Sequence, residues 1–162
     1  MFTQALPHRS RAFSLIELVI VVVIIGILAA IAIPRMSRGA AGASDSALSS
    51  NLTTLRSALD LYQAEHGGAF PTLTNLPNAL TQYSDIAGTT FSATQVAATG
   101  VIYGPYVRAV PVLPVGADKG KNTFSATRTA GFGWVYDATT GAVSANCPDA
   151  EVDARNTKYN TY

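Results

Sequence analysis

Apolar side chains are distributed very unevenly along this chain. Residues 13–33, FSLIELVIVVVIIGILAAIAI, form an almost unbroken apolar run. About 20 such residues are enough to cross a bilayer as a helix. One acid, Glu17, interrupts the run near its start, and Pro34 follows its end. Residues 35–42 are polar and carry two glycines, a weak stretch for helix. From residue 43 the period changes. Leu48, Leu52, Leu55, Leu59 and Tyr62 recur at steps of four and three, which marks one face of a helix. Asn51, Thr54, Arg56, Asp60 and Gln63 fill its other faces, and Gly67, Gly68 and Pro71 predict its end. The stripe suits a short coiled-coil seam or a face packed on the chain's own sheet, and its shortness favours the sheet.

Beyond the helix the pattern breaks into short pieces. Residues 76–83 predict a short helix with Asn75 as its cap, and residues 85–100, rich in Thr, Ala and Gly, predict a loop. Pro105, Pro111 and Pro114 argue for an edge or extended segment over a central strand. Residues 116–123 read as a turn. Residues 129–136 and 142–145 read as two strands joined by a turn at 137–141, an antiparallel hairpin. Residues 149–162 are polar and read as a loose tail.

Composition narrows the function classes. The 162 residues carry a net charge of +1, which gives no basic field for nucleic acid. Charged residues make up 13%, sparse for a cytosolic enzyme and in keeping with an exported surface subunit. A single cysteine, Cys147, excludes an internal disulfide and a cysteine-based zinc site; a free thiol is expected, with a disulfide to another chain as the alternative.

His8, Arg9 and Arg11 precede the apolar run and no acid does. The positive-inside rule therefore keeps this end in the cytoplasm and exports the residues beyond Ile33. A cleavable secretory signal is the alternative, since Ala30-Ile31-Ala32 has the form of its cut site. The apolar run before that site is too long for it, and no polar stretch intervenes.

The stretch Arg11-Ala12-Phe13-Ser14-Leu15-Ile16-Glu17-Leu18 resembles the signal of type IV pilins and type II secretion pseudopilins. In that family a short basic leader and a small residue precede Phe-Thr-Leu-Ile-Glu and a long apolar helix. The resemblance implies cleavage by a prepilin peptidase between Ala12 and Phe13 and N-methylation of Phe13. The family's usual residue before the cut is Gly, where Ala12 stands here, and Ser14 stands for Thr. It further implies an α+β lollipop, with a long N-terminal helix, transmembrane in its first half, on a small antiparallel sheet. Leader 1–12, membrane and filament-core helix 13–34, periplasmic domain 35–148 and tail 149–162 are the expected divisions. Residues 61–72, with Leu61, Tyr62, Phe70, Pro71 and Thr72, resemble the pseudopilin pattern at the helix end. Gly104-Pro105-Tyr106 and the Trp134-Val135-Tyr136-Asp137 stretch resemble later segments of the same proteins.

The physics of Glu17 agrees with that resemblance. A carboxylate in hydrocarbon costs a few kcal/mol or more unless it is paired. After the implied cut, the freed Phe13 amine of one subunit can meet Glu17 of its neighbour in a filament of stacked helices. Removing either partner leaves an uncompensated buried charge, costing about 3–5 kcal/mol, so the pair acts as a register device. The simpler reading is that Glu17 favours the helix start at the lipid surface. Gly26 and Pro34 bound the segment that, by resemblance, unwinds on assembly; a kink at the membrane exit is compatible with it.

Chemistry elsewhere is thin. Residues 116–122, GADKGKN, fall one residue short of a phosphate loop and put Asn122 where Ser or Thr is needed. His66 stands far from the only other histidine, so a helix-end role is favoured over metal ligation. Asn51-Leu52-Thr53 matches a glycosylation sequon in mid-helix. No catalytic residue, no enzyme activity and no cofactor are expected. Calcium is a family possibility, but Asp118, Asp137 and Asp149 are scattered and the family's closing Asp-rich motif is missing.

The expected function is that of a major-pseudopilin-like subunit polymerising into a periplasmic pseudopilus of a type II secretion system. The alternatives are a type IV pilus pilin, serving adhesion, motility or DNA uptake, and a membrane-anchored module that never polymerises. Expected partners are further copies of itself, prepilin peptidase, the inner-membrane assembly platform with its ATPase, and minor pseudopilins. Nucleic acid is expected only for a DNA-uptake pilus. The expected location is the bacterial inner membrane, single-pass, with the C-terminal domain periplasmic.

Overall fold

The computed structural model describes residues 14–162. Helix α1 runs Leu15–Glu65, 51 residues, and takes in residues of two compact units. The first unit ends at Gly39 and the second is Ala40–Tyr162. In the first, the large apolar side chains from Leu15 to Ile31 are 43–80% exposed. A helix pairs its backbone polar groups within the segment, the condition a lipid environment imposes.

One expectation about α1 is corrected: residues 35–42, a weak stretch for helix in the sequence, are helical throughout, and the helix runs on through Pro34 as the long-helix expectation required. Proline removes one backbone bond, but the turns on either side keep theirs. Ala40, Ala41 and Ala43 are strong helix formers around Gly42, and Ser46 Oγ donates back to the Gly42 carbonyl at 2.9 Å.

In the second unit the predicted stripe is the core face. Leu48, Leu52, Leu55, Leu59 and Tyr62 are each at most 3% exposed. The four leucines share a core with Leu76, Leu80, Leu113, Phe124, Trp134, Tyr136 and Val143, so the stripe packs on the chain's own domain. The helix closes where Gly68 N–H reaches the Gln63 carbonyl at 2.8 Å, with Gly67 and Gly68 at φ +66° and +87°. Only glycine adopts that left-handed pair without strain.

Helix α2, Leu76–Thr81, ends two residues short of the prediction because Tyr83–Ser84 (β1) pairs antiparallel with Phe91–Ser92 (β2). Asn75 does not cap α2 with its side chain. Its backbone is itself helical, and its amide donates to the Gly88 carbonyl at 3.3 Å. The Thr72 carbonyl instead accepts from Asn75 N–H and Leu76 N–H, at 3.0 and 2.9 Å. The expected loop 85–100 contains β2 and a 3₁₀ turn at Ala97–Thr99. Asp85 shapes its first turn by accepting from the Thr89 and Thr90 amides at 2.8 and 3.0 Å.

Phe124–Ser125 (β3), Trp134–Tyr136 (β4) and Val143–Ala145 (β5) form a sheet in that order. The predicted hairpin is β4–β5, with Trp134 opposite Ala145. Strand β3 lies parallel to β4, which the antiparallel expectation did not include. Parallel neighbours usually need a long crossover. Here residues 126–133 suffice because buried Asn146 holds them. Its Nδ2 donates to the Thr129 and Phe132 carbonyls at 2.6 and 2.8 Å. Gly133 passes so close to Lys121 that a Cβ would lie 2.2 Å from its carbonyl oxygen.

Polar tethers attach the proline-rich segment to this frame. Asn51 donates to the Val112 carbonyl at 3.0 Å, Trp134 Nε1 to Pro111 at 2.8 Å, and Tyr136 OH to Pro71 at 2.8 Å. The tail is corrected as well. Val152 bridges to Lys158, Asp153 and Asn160 are buried, and Arg56 on α1 donates to the Tyr162 carbonyl at 2.6 Å.

Candidate functional site: the N-terminal helix

The residues with the most to say about function lie at the start of α1. Ser14 accepts the first helical bond, from Leu18 N–H at 3.1 Å. Glu17 sits in the first turn with an exposed side chain, where the helix dipole and the unpaired amides favour a negative charge. Leu15–Ala32 is long and apolar enough to cross a membrane, and none of it is buried. A contiguous apolar surface of that extent marks a membrane or protein contact. At Gly26 a Cβ would meet no atom within 4 Å, so nothing packed inside this chain requires a glycine there. Pro34 lies within the helical backbone; Ala12 and Phe13 lie outside the described residues.

Residues 7–33 match the family described as Prokaryotic N-terminal methylation motif. The chain carries a type IV pilin-like N-terminal signal. No curated protein and no solved structure gives a match. The pilin-like signal covers the basic stretch, Ala12, Phe13, Glu17 and Gly26, and stops one residue before Pro34. It makes the chain a substrate type for prepilin peptidase and accords with membrane anchoring through one apolar helix.

The other sequence candidates fall into structural roles. His66 is 6% exposed, and its ring stacks on Tyr62 at 3.7 Å. Its Nδ1 lies 2.8 Å from the Tyr62 carbonyl, which can only accept, so Nδ1 carries the hydrogen. Nε2 hydrogen-bonds with Ser84 Oγ at 3.0 Å, and Ser84 is fully buried. Both ring nitrogens are engaged inside the domain, as a helix-end role requires. Beside them Tyr106 OH donates to Glu65 at 2.6 Å; burial, then this bond, push its pKa far above the usual phenol.

The loop at 116–122 has its amides committed within the domain, Ala117 N–H to Glu151 among them. Lys119, Gly120 and Lys121 N–H donate to the carbonyls of Gly116, Leu113 and Asp118 at 3.3, 2.8 and 3.1 Å. A phosphate would find these donors taken, and the turn reading stands. The sequon residue Asn51 is likewise committed to the Val112 carbonyl.

Asp118 and Asp149 do come together, lining a cavity of about 410 Å³ with Arg128 and Asn146, while Asp137 sits in the β4–β5 turn. Cationic and amide partners already hold Asp149. Arg128, Lys158 and Asn160 approach it at 2.7, 3.1 and 2.8 Å, and these three, Asn160 foremost, lower its pKa to about 2. Asp118 accepts from Gly131 N–H at 2.7 Å and from Asn146 at 3.4 Å. Among the described residues no group of three or more His, Cys, Asp or Glu is placed to hold a metal. The donor set does not fit calcium, which needs about six oxygens free to coordinate.

Proposed function

We propose that this chain is a non-catalytic structural subunit that polymerises through α1 into the pseudopilus of a type II secretion system, in the manner of a major pseudopilin. The observation that carries the reading is the methylation motif lying on the first part of α1, where the apolar side chains from Leu15 to Ile31 find no cover among the described residues. At about 25 cal/mol per Å², this is the largest apolar surface the molecule has to offer a filament. Glu17 in the first turn supports this reading, in which the processed amine of a neighbouring copy pairs with its carboxylate. The Leu61–Thr72 and Gly104-Pro105-Tyr106 stretches and the lone cysteine favour a pseudopilin over a disulfide-closed pilin.

The test is mass spectrometry of the protein isolated from its native membrane. The expected mass lacks residues 1–12 and carries one methyl group on Phe13, and both changes vanish in a strain without the peptidase. An intact Met1 end in the wild-type strain overturns the reading. Coexpression with the secretion machinery then separates the alternatives. Glu17→Ala should leave membrane insertion intact and abolish incorporation into sheared filaments, whereas a plain anchor is indifferent to it. Dependence of exoprotein release on the subunit identifies a pseudopilus; dependence of motility or DNA uptake identifies a pilus.

A further inference from the structure

The last residues of the chain look unstructured in sequence, yet they fold into a small body of their own. Asp153 accepts from the Thr157 and Arg155 amides at 2.7 and 2.8 Å and from Tyr162 OH at 2.6 Å. Lys158 pairs with Asp149 at 3.1 Å, and Val152 bridges to Lys158. These contacts are internal to the segment, which contributes no strand to the sheet, although its 3₁₀ turn at Tyr159–Thr161 lies against β5.

Its attachment to the rest of the domain is of another kind. Tyr159 OH donates to Asp45 on α1 at 2.9 Å, and Arg56 on α1 donates to the Tyr162 carbonyl. Arg128 pairs with Asp149 at 2.7 Å across a contact in which both side chains are more than half exposed. Glu151 Oε1 accepts from Ala117 N–H at 2.9 Å, and Asn160 donates to the Cys147 carbonyl at 2.9 Å. Among the described residues of the segment, Tyr159 and Tyr162, both partly buried, are the hydrophobic side chains that pack against the main apolar core. Exposed ion pairs contribute little, and single hydrogen bonds about 1 kcal/mol each.

Glu151 Oε2 is buried beside the Cys147 sulfur against Gly116, so the thiol and this carboxylate face each other at the root of the segment. Cys147 itself is fully buried at the root of the segment.

We propose that residues 148–162 are a latch that opens as a unit while the core stays folded, releasing α1 at Asp45 and Arg56 and uncovering the Cys147 thiol. Such sub-global opening is expected where a body is internally organised but fastened by few apolar contacts. The inference does not depend on filament assembly. Burial, then the Glu151 carboxylate, push the Cys147 thiol up to about 12, so the closed latch keeps it protonated and inert.

The experiment is the rate at which Cys147 reacts with a chromogenic disulfide reagent, in the full chain in detergent micelles, across a urea series well below global unfolding. The expected rate depends only weakly on urea. Tyr159→Phe, which removes one fastening and keeps the ring, raises it about five- to tenfold, the worth of one hydrogen bond. Tyr106→Phe, which breaks the distant bond to Glu65, lowers global stability and leaves the rate unchanged. A urea dependence as steep as that of global unfolding, an unchanged rate in Tyr159→Phe, or equal acceleration by both variants overturns the proposal.

Discussion

Carboxylates in this chain act according to what faces them. Glu17 is exposed on a helix whose surroundings are apolar, and in the proposed filament its partner comes from another copy. Asp153 is buried and finds its partners within a few residues. Glu17→Ala is therefore expected to leave urea unfolding of the C-terminal domain unchanged while filament incorporation fails. A different residue-scale effect governs the core. Leu52 is 1% exposed in the centre of the stripe, so Leu52→Ala should cost about 2–5 kcal/mol in the same urea experiment. Gly133 is decided by space: Gly133→Ala would press a Cβ into the Lys121 carbonyl and should loosen the β3–β4 pairing, read as faster amide exchange at Trp134.

At the scale of elements, the second half of α1 and the β4–β5 hairpin are legible in the sequence because their signals are local. A stripe at steps of four and three, and a turn between two apolar runs, need no knowledge of the rest of the chain. The parallel strand β3 is not legible. Its two residues have no periodicity, and its place depends on Asn146, distant in sequence, holding residues 126–133. The helical course of residues 35–42 escapes a local reading too, because their weak positions are outweighed by the turns on either side. Element contacts also carry a prediction. Tyr136 OH joins β4 to the segment just after α1, so Tyr136→Phe leaves the Pro71 carbonyl unpaired and should cost about 1–3 kcal/mol by thermal unfolding.

For the C-terminal domain as a whole, pH reports the latch and the turns together. Asp149 is lowered to about 2 by Asn160, Lys158 and Arg128. Asp153 is lowered chiefly by the Tyr162 hydroxyl, Asp85 by the Thr90 amide and Asp137 by the Thr139 amide. A lowered folded pKa contributes stability above the ordinary carboxylate range that is lost as pH falls through the folded value. At the other end, Tyr159 is raised to about 12 by burial and Asp45, and Tyr162 to about 12 by its bond to Asp153. Their contribution is complete below the ordinary phenol pKa and is lost as pH rises toward about 12. Unfolding midpoints should be flat from about pH 5 to about 9, then fall on the acid side toward about 2 and on the alkaline side above about 10.

What the sequence determined by itself is what depends on neighbours along the chain. The membrane-length apolar run, the signal ahead of it, the acid in its first turn, the core stripe of α1 and the closing hairpin all belong to this class. The pilin-like signal is the extreme case, since its residues are contiguous and need no folded domain around them to be recognised in sequence. Tertiary structure decided what depends on residues far apart. It joined Asp45 to Tyr159 and Arg56 to Tyr162, gave Asn146 a crossover to hold, and filled the coordination of Asp118 and Asp149 with amides and cations. Polar residues carry no period, so their partners are chosen only when the folded backbone brings donors and acceptors within about 3 Å of each other.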